Sequence, residues 1–393
     1  MRILLVSHGP ADCNSSQHVF GFARGLTERG HEARVAVVDS VPVGGVDTSR
    51  GFAVGCLQTM VKSGARFSDG KSADLLHVWT PREPMRWFAE EYWSVARPKA
   101  LVVHLEDNEE ILWERFTGRP FSEAGRGPGD PPHLVHPRHY RSFLASAQGV
   151  TVIHRCLLDL VPGLNAQEMA PVMDFKFLDT KGPDGDLRRK LNLGRKTRVI
   201  AYNGNDHPAA LADIRMLYDA VEELIHRGRD VALIRTGHVM EANYGGLRFR
   251  PGPRCCELGF IPREQIPPVL RLADICVQPG TQDEFNRYRL PSKIPEYLAM
   301  GKPLITGQGN IGSELAEKRG AIVLAHMTAP TLAAALESLL ENPKEAARMG
   351  LRGQAFAQQR FAASEVMPML ESFYRHCIEL GLKARESGKG NAP

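Results

Sequence analysis

The sequence predicts an α/β protein of two doubly wound sheets in tandem, and three observations predict it. Apolar runs rich in Val, Ile and Leu alternate with amphipathic helical patterns along the chain, as parallel strands joined by crossover helices do. A polar, turn-rich stretch interrupts the alternation near the middle, after which it restarts. Finally, 393 residues with 43% hydrophobic and 24% charged content suffice for two cores, which sets aside disorder, collagen and coiled coil.

The elements follow in order. Arg2–His8, Glu32–Asp39, Asp74–Trp79, Ala100–Leu105 and Val150–His154 read as strands, with a helix from about His18 to Arg29 that stops at Gly30. Between Trp113 and Arg141 the pattern fails: glycines and prolines crowd one segment with five arginines, which reads as a long loop. Asp174 to Lys190, with Lys181-Gly182-Pro183-Asp184-Gly185-Asp186, reads as the interdomain linker. Val199–Tyr202, Val231–Arg235, Ile275–Gln278, Pro303–Thr306 and Ala321–Ala325 are the strands of the second half. Ile214, Leu217, Tyr218, Val221, Leu224 and Ile225 repeat on one helix face. The tail from about Ala346 to Leu382 is helical. The expected units are 1–178, 179–371 and a C-terminal helix, 372–393, returning to the first. The two sheets are expected to face one another across a cleft at the carboxyl ends of their strands, where open α/β sheets place ligands.

A net charge of +4 is too small over this length to require nucleic acid. Seven cysteines without zinc spacing fit reduced thiols in a cytoplasm. Met1-Arg2 reaches His8-Gly9-Pro10 before a signal core forms, and no run nears the ~18–20 apolar residues of a membrane span. A cytoplasmic protein is expected. Trp87, Phe88, Trp93 and the arginine-rich 114–141 loop are candidates for contact with the inner face of a membrane or a lipid-linked acceptor; a packed helix and a solvated loop is the alternative.

The loop after the first strand, Ser7 to Gln17, lacks the G-x-G-x-x-G of a nicotinamide-binding unit. Asn14, Ser15 and Ser16 are placed to cap the next helix, and Gly9, Ser15 and Ser16 are candidates for an anion or hydroxyl site. Leu101–Leu105 empties into Glu106, Asp107, Glu109 and Glu110, able to bind a metal or sugar hydroxyls or to act in acid–base chemistry. Glu109 and Glu110 read rather as acids of a solvated first helical turn. His104, at the strand end, is a site candidate. Asp184-Gly185-Asp186 matches a metal-binding D-x-D pattern but sits among turn formers, and no metal site is expected.

The richest stretch runs from Ala273-Asp274-Ile275 to Leu290-Pro291-Ser292-Lys293-Ile294-Pro295-Glu296-Tyr297-Leu298-Ala299-Met300-Gly301-Lys302-Pro303. Ser292 is placed to cap a short helix and Gly301 to end it. Lys293, with Arg287 and Arg289 upstream, makes a cationic site for a diphosphate, and Glu296 is placed to accept both hydroxyls of a ribose. The competing view is a solvated Lys293 paired locally with Glu296. Tyr202-Asn203-Gly204-Asn205-Asp206-His207 and Gly309-Asn310-Ile311-Gly312-Ser313-Glu314 are further loops for the same pocket, Gly204 allowing backbone to approach a phosphate.

These residues resemble the retaining GT-B glycosyltransferases of the family 4 type. The likeness is strongest from Leu258-Gly259-Phe260-Ile261 to Pro303, with support from Glu28-Arg29-Gly30-His31-Glu32 and Pro171-Val172-Met173-Asp174. It implies a nucleotide-sugar donor, UDP- or GDP-linked, and no other cofactor. It implies a sugar, glycan, lipid-linked or small-molecule acceptor on the first domain, as in polysaccharide biosynthesis. Glu296 matches the second glutamate of the family's E-x7-E, which binds ribose, and Leu290, Pro291, Ser292 and Lys293 match the diphosphate-holding stretch. The implied donor-side residues also include Gly204, Asn205, Phe260, Ile261 and Arg289, and the acceptor side Gly9, Ser15, Ser16 and Glu106. The first glutamate is replaced by Tyr288, so Asn286, Glu284 or Asp283 is left to meet the sugar. The family's Arg/Lys pair after Gly204 is missing, and Arg289 and Lys293 are left to supply that charge. His104 resembles a strand-end histidine facing the donor sugar, giving His104, Asn286 and Lys293 as catalytic candidates. A nucleotide-sugar epimerase or hydrolase, or a non-catalytic nucleotide-sugar-binding protein, are the rival readings.

Overall fold

Strands that are apolar on both faces must be covered on both faces. In a computed structural model, described here for residues 1–38, 45–126, 129–179, 184–205, 210–237, 254–309 and 311–388 with 184–186 by backbone only, Ile3, Leu4, Leu5 and Val6 are fully buried, as are Leu233 and Ile234. The chain forms two compact units, Met1–Val172 with Ala363–Pro393, and Met173–Ala362. The sequence reading placed the changeovers at 178 and 371; they fall at Met173 and Ala363. Met173 N–H donates to Phe361 C=O at 2.9 Å, so the two crossing points are tied together.

The first unit holds β1 (Arg2–Val6), β2 (Glu32–Val37), β3 (Val46–Asp47), β4 (Ala53–Cys56), β5 (Leu75–Trp79), β6 (Ala100–Leu105), β7 (Gly149–Val152) and β8 (Ala166–Glu168). Their order is β3-β4-β2-β1-β5-β6-β7-β8, parallel throughout except for the β3–β4 pair. The second unit holds β9 (Arg198–Asn203), β10 (Val231–Thr236), β11 (Cys255–Glu257), β12 (Ile275–Gln278), β13 (Leu304–Gly307) and β14 (Ile322–Leu324) in the order β11-β10-β9-β12-β13-β14, all parallel. In each sheet the strand order reverses once, between β1 and β5 and between β9 and β12. Those reversals are where a doubly wound sheet opens a crevice for a ligand.

β3, β4, β8 and β11, of two to four residues, escaped the sequence reading: they are short and none is part of a longer Val/Ile/Leu-rich run. The expected linker is also corrected. Phe175–Leu178 and Asp184–Lys190 are helices of the second unit, the latter packed on the Ile266–Leu272 helix. Asp174 caps the first of them, its carboxylate accepting from Phe177 N–H at 3.0 Å, so a residue read as a loop signal starts a helix. The tail is two helices, Pro343–Phe361 and Ala363–Glu386, broken at extended Ala362. The second packs on β6 and on the Asn14–Glu28 helix of the first unit. Glycines set its approach: a Cβ on Gly381 would lie 1.9 Å from the Lys99 carbonyl oxygen, and one on Gly149 2.5 Å from Cys377 Sγ.

Candidate functional site

At the β9/β12 reversal, three groups are bonded across the crevice. Asn203, the last residue of β9, donates its N–H to the Tyr297 hydroxyl at 2.7 Å and its Nδ2 to Glu296 Oε2 at 3.4 Å. Its Oδ1 accepts from Thr236 Oγ1, at the end of β10, at 2.6 Å. Glycine brings the loops together: Gly237 has φ +115°, and a Cβ there would lie 2.5 Å from the Gly204 carbonyl carbon and oxygen. Gly204 N–H donates to Thr236 C=O at 3.0 Å, and Gly237 N–H to Gly259 C=O at 2.8 Å.

Glu296 sits on the helix Lys293–Ala299 with its side chain 7% exposed, and its Oε1 accepts from Arg263 Nη1 at 2.9 Å. Arg263 lies over the Phe177 ring at 5.0 Å. The competing view, a local pair of Glu296 with Lys293, is not what forms: Arg263 arrives from the loop after β11 to pair with Glu296, while the Lys293 ammonium donates to Ser292 Oγ at 2.9 Å. Ser292 occupies the N-cap position in a helical conformation with no side-chain capping bond, which corrects its expected role. Gly301 does end the helix: at φ +65° its N–H donates to Leu298 C=O, and Lys302 N–H reaches Tyr297 C=O.

Burial takes the Lys293 ammonium down to about 8, with Glu296 opposing the shift and Arg289 and Arg263 adding to it. Affinity for a nucleoside diphosphate should therefore fall as pH rises past about 8 and the free protein loses that charge, by at most tenfold per pH unit. Calorimetric titration from pH 6.5 to 9.5 checks this, and Lys293→Met should bind weakly with a flat profile.

The remaining donor-side candidates are placed as follows. Leu290 and Pro291 are buried, Arg289 lies over the Phe285 ring at 5.2 Å, Ile261 is half-buried and Phe260 is exposed. Asn286, buried in the Glu284–Tyr288 helix, donates its amide to Thr281 C=O at 3.1 Å and to Asp213 Oδ2 at 3.4 Å, so it holds the loop after β12. Gly204 and Asn205 follow β9 directly, whereas Asp206, His207 and Asn310 lie outside the described residues, as do the side chains of Asp184 and Asp186. Among the described residues no group of three or more His, Cys, Asp or Glu side chains is arranged to hold a metal.

In the first unit the β1/β5 reversal gathers a second set. Glu106, just past β6, accepts from Trp79 Nε1 at 2.8 Å and Ser15 Oγ at 2.5 Å, and lies 3.1 Å from His18 Nδ1. Burial pushes its carboxyl up, but His18, then His8 and His104, outweigh that and hold it well below the usual carboxylate range. The Asn14–Glu28 helix is capped by Cys13, whose Sγ accepts from Ser16 N–H, and not by the expected Asn14, Ser15 or Ser16. Ser16 Oγ donates instead to Pro10 C=O at 2.7 Å and lies 2.7 Å from Ser7 Oγ, while Gly9 N–H donates to Ser7 Oγ at 3.3 Å. Glu109 is no solvated acid: it is 4% exposed and accepts from Arg82 Nε at 2.9 Å, while Glu110 pairs with Arg141 and Tyr140.

His104 is 1% exposed, stacked on Trp79 with ring centres 4.0 Å apart, and has its Nδ1 2.8 Å from Thr151 Oγ1. Burial brings it, like His8, down to about 3. Thr80, between Trp79 and Arg82, is buried at φ +74°, a strained conformation for a β-branched residue. Sequence reasoning placed Asn203 in a pocket loop without giving it a role, and missed Arg263 and Tyr297 in one unit and Trp79, Thr80, His18 and Arg82 in the other. Trp79, Thr80 and Arg82 had position at or just past a strand's carboxyl end as their signal, and Tyr297 its place one residue after Glu296; Arg263 and His18 had none.

Residues 197–342 match the family model described as glycosyl transferases group 1. An α-D-kanosaminyltransferase from Streptomyces kanamyceticus is 28% identical over 214 residues, 53% of this chain and 52% of that protein, so the match spans about half the length of that relative. Among solved structures, Anabaena HepE in complex with UDP-glucose superposes with a TM-score of 0.70 at 17% identity, covering 95% of this chain and 100% of that one. Sucrose-phosphate synthase from Thermosynechococcus elongatus superposes with a TM-score of 0.70 at 15% identity, covering 95% and 98%. The chain has the GT-B type of fold, and in its second unit it carries a glycosyl transferases group 1 segment.

Proposed function

We propose that the protein is a retaining glycosyltransferase that moves a sugar from a nucleoside diphosphate, UDP- or GDP-linked, to an acceptor held by the first unit. The observation that carries this reading is Glu296: a buried carboxylate at the β9/β12 reversal, tied to Asn203 and Arg263 and neighboured by Lys293. A carboxylate in a strand-order crevice suits the vicinal hydroxyls of a ribose, and cations beside it suit a diphosphate. HepE was solved with UDP-glucose, and the curated relative is named for kanosaminyl transfer.

In this reading the bond from the anomeric carbon to the diphosphate oxygen breaks with its electron pair passing to that oxygen. Lys293 and Arg289 stabilise the charge as it develops. The acceptor hydroxyl oxygen bonds to the same face of the anomeric carbon, and its proton passes to the departing diphosphate oxygen. Because protein cations neutralise the diphosphate, transfer is expected to persist in a chelator. Trp87 is 52% exposed whereas Phe88 is buried, so lipid-linked acceptors belong in the acceptor panel. No helix among the described residues is long and apolar enough to cross a membrane.

The test is thermal stabilisation by UDP, GDP, ADP, CMP, dTDP and their sugar conjugates, since a ligand of the native state raises apparent stability. One diphosphate series should raise Tm selectively, and its sugar conjugate should yield free diphosphate and a glycosylated product when acceptors are added. No stabilisation across the panel would overturn the donor assignment. Free sugar or a changed epimer without acceptor would assign the hydrolase or epimerase chemistry instead.

A further inference from the structure

A buried hydrogen-bonded chain runs from the C-terminal helix to His104. Tyr374, on Ala363–Glu386, has its hydroxyl 2.6 Å from His77 Nδ1. His77 Nε2 lies 3.0 Å from Thr151 Oγ1, which lies 2.8 Å from His104 Nδ1. Tyr374, His77 and Thr151 are fully buried and His104 nearly so. All four belong to the first unit, on β5, β6, β7 and the returning helix. The far end of the chain, His104 Nε2, is buried without a hydrogen-bond partner among the described residues.

The direction of this chain follows from counting protons. Thr151 has one hydroxyl hydrogen, so it donates to one histidine and accepts from the other. If Tyr374 donates to His77 Nδ1, then His77 donates from Nε2 to Thr151, Thr151 donates to His104 Nδ1, and His104 carries its proton on Nε2. Every hydrogen in the chain but that last one is then used. The opposite direction strands two groups, the Tyr374 hydroxyl hydrogen, whose hydrogen-bond partner among the described residues is His77 alone, and the bare His104 Nε2. Each stranded buried group carries a desolvation penalty, so the direction that strands one is favoured over the direction that strands two.

We propose that Tyr374, through His77 and Thr151, is a positioning residue that fixes His104 as an Nε2–H hydrogen-bond donor for an oxygen of the acceptor that the first unit holds. His104 is then a donor to a hydroxyl or other oxygen and not a base, since the nitrogen left without a partner already holds its proton. The Trp79 stack fixes the plane of the ring, and the relay fixes which nitrogen carries hydrogen. The part of this inference that concerns the acceptor rests on the function proposed above; the tautomer does not.

The test reads the tautomer directly, by long-range 15N–1H correlation of histidine-labelled protein at pH 7.5, with His104 assigned from the spectrum of His104→Gln. Wild type should show His104 with a protonated Nε2 and bare Nδ1. Tyr374→Phe should convert it wholly or partly to the Nδ1–H form. Thr151→Val, which keeps the volume and removes the hydroxyl, should release His104 from this control and leave the two forms mixed, while Thr151→Ser should keep the wild-type pattern. If Tyr374→Phe fails to fold, the Thr151 pair decides. An Nδ1–H tautomer in wild type, or an unchanged tautomer in both Tyr374→Phe and Thr151→Val, would overturn the relay. A correct tautomer together with full transfer activity in His104→Gln would leave the relay standing and remove the acceptor contact.

Discussion

Replacing Glu296 with alanine is expected to weaken nucleoside diphosphate binding by about 1 to 3 kcal/mol, a loss of roughly five- to 150-fold. The carboxylate accepts from Arg263 and Asn203 in the structure, and a carboxylate oxygen has lone pairs left for ribose hydroxyls. Its removal acts in two opposed ways. The hydroxyls lose a charged acceptor, while Arg263 and Lys293 lose a nearby negative charge and attract the diphosphate more strongly. The loss should therefore concentrate on the ribose: UDP should weaken by more than 2′-deoxy-UDP, which keeps one of the two hydroxyls, and the same holds for the corresponding pair of whichever base the protein selects. Calorimetric titration of both ligands against wild type and Glu296→Ala measures this. Equal affinities for the ribonucleotide in the two proteins would mean that Glu296 does not hold the ribose.

Acid should unfold the first unit early. His8 and His104 are brought down to about 3 by burial, and His77 is held well below its ordinary value by the same cause. The unfolded chain takes up a proton at each near pH 6.5, whereas the native state refuses it. Their contribution is thus complete above about pH 6.5 and is lost as pH falls from there toward 3. Each costs about 1.4 kcal/mol per pH unit in that window, so on the order of 4 kcal/mol is gone by pH 5.5. Urea midpoints at pH 7.5 and 5.5 test the expectation, and hydrogen exchange should locate the loss on β1, β5 and β6. A flat profile between those pH values would show that the imidazoles are not buried neutral.

Most of the central strands were legible because wholly apolar runs leave the chain little choice. Gly301 was legible for the same kind of reason: only a residue tolerant of positive φ closes a helix before Pro303. Glu296 was found by its position one turn into a helix after a strand. Its partner Arg263 was not, since nothing in Ile261-Pro262-Arg263 marks a side chain that will reach 33 residues along the chain. Capping went wrong at Cys13 and at Ser292 because propensity ranks side chains by type, while both helix starts were decided by what else was near. Ser15 and Ser16 had oxygen partners on Glu106 and Pro10, which left Cys13 for the cap. Glu109 was misjudged for want of Arg82, an ion pair whose partner lies on a different strand end.

The first unit is discontinuous in sequence, and that sets an order of events during synthesis. Residues up to Val172 leave the ribosome long before Ala363–Glu386 exists, and the second unit is made in between. Until the last helix is made, the side of the sheet that Val366, Met367, Leu370, Phe373 and Tyr374 will cover is open, and His77 Nδ1 waits without Tyr374. A nascent chain in that state exposes apolar surface to chaperones and to other chains. The second unit can finish folding first, and a chain truncated before Ala363 would hold a complete second unit beside a first unit arrested in mid-assembly.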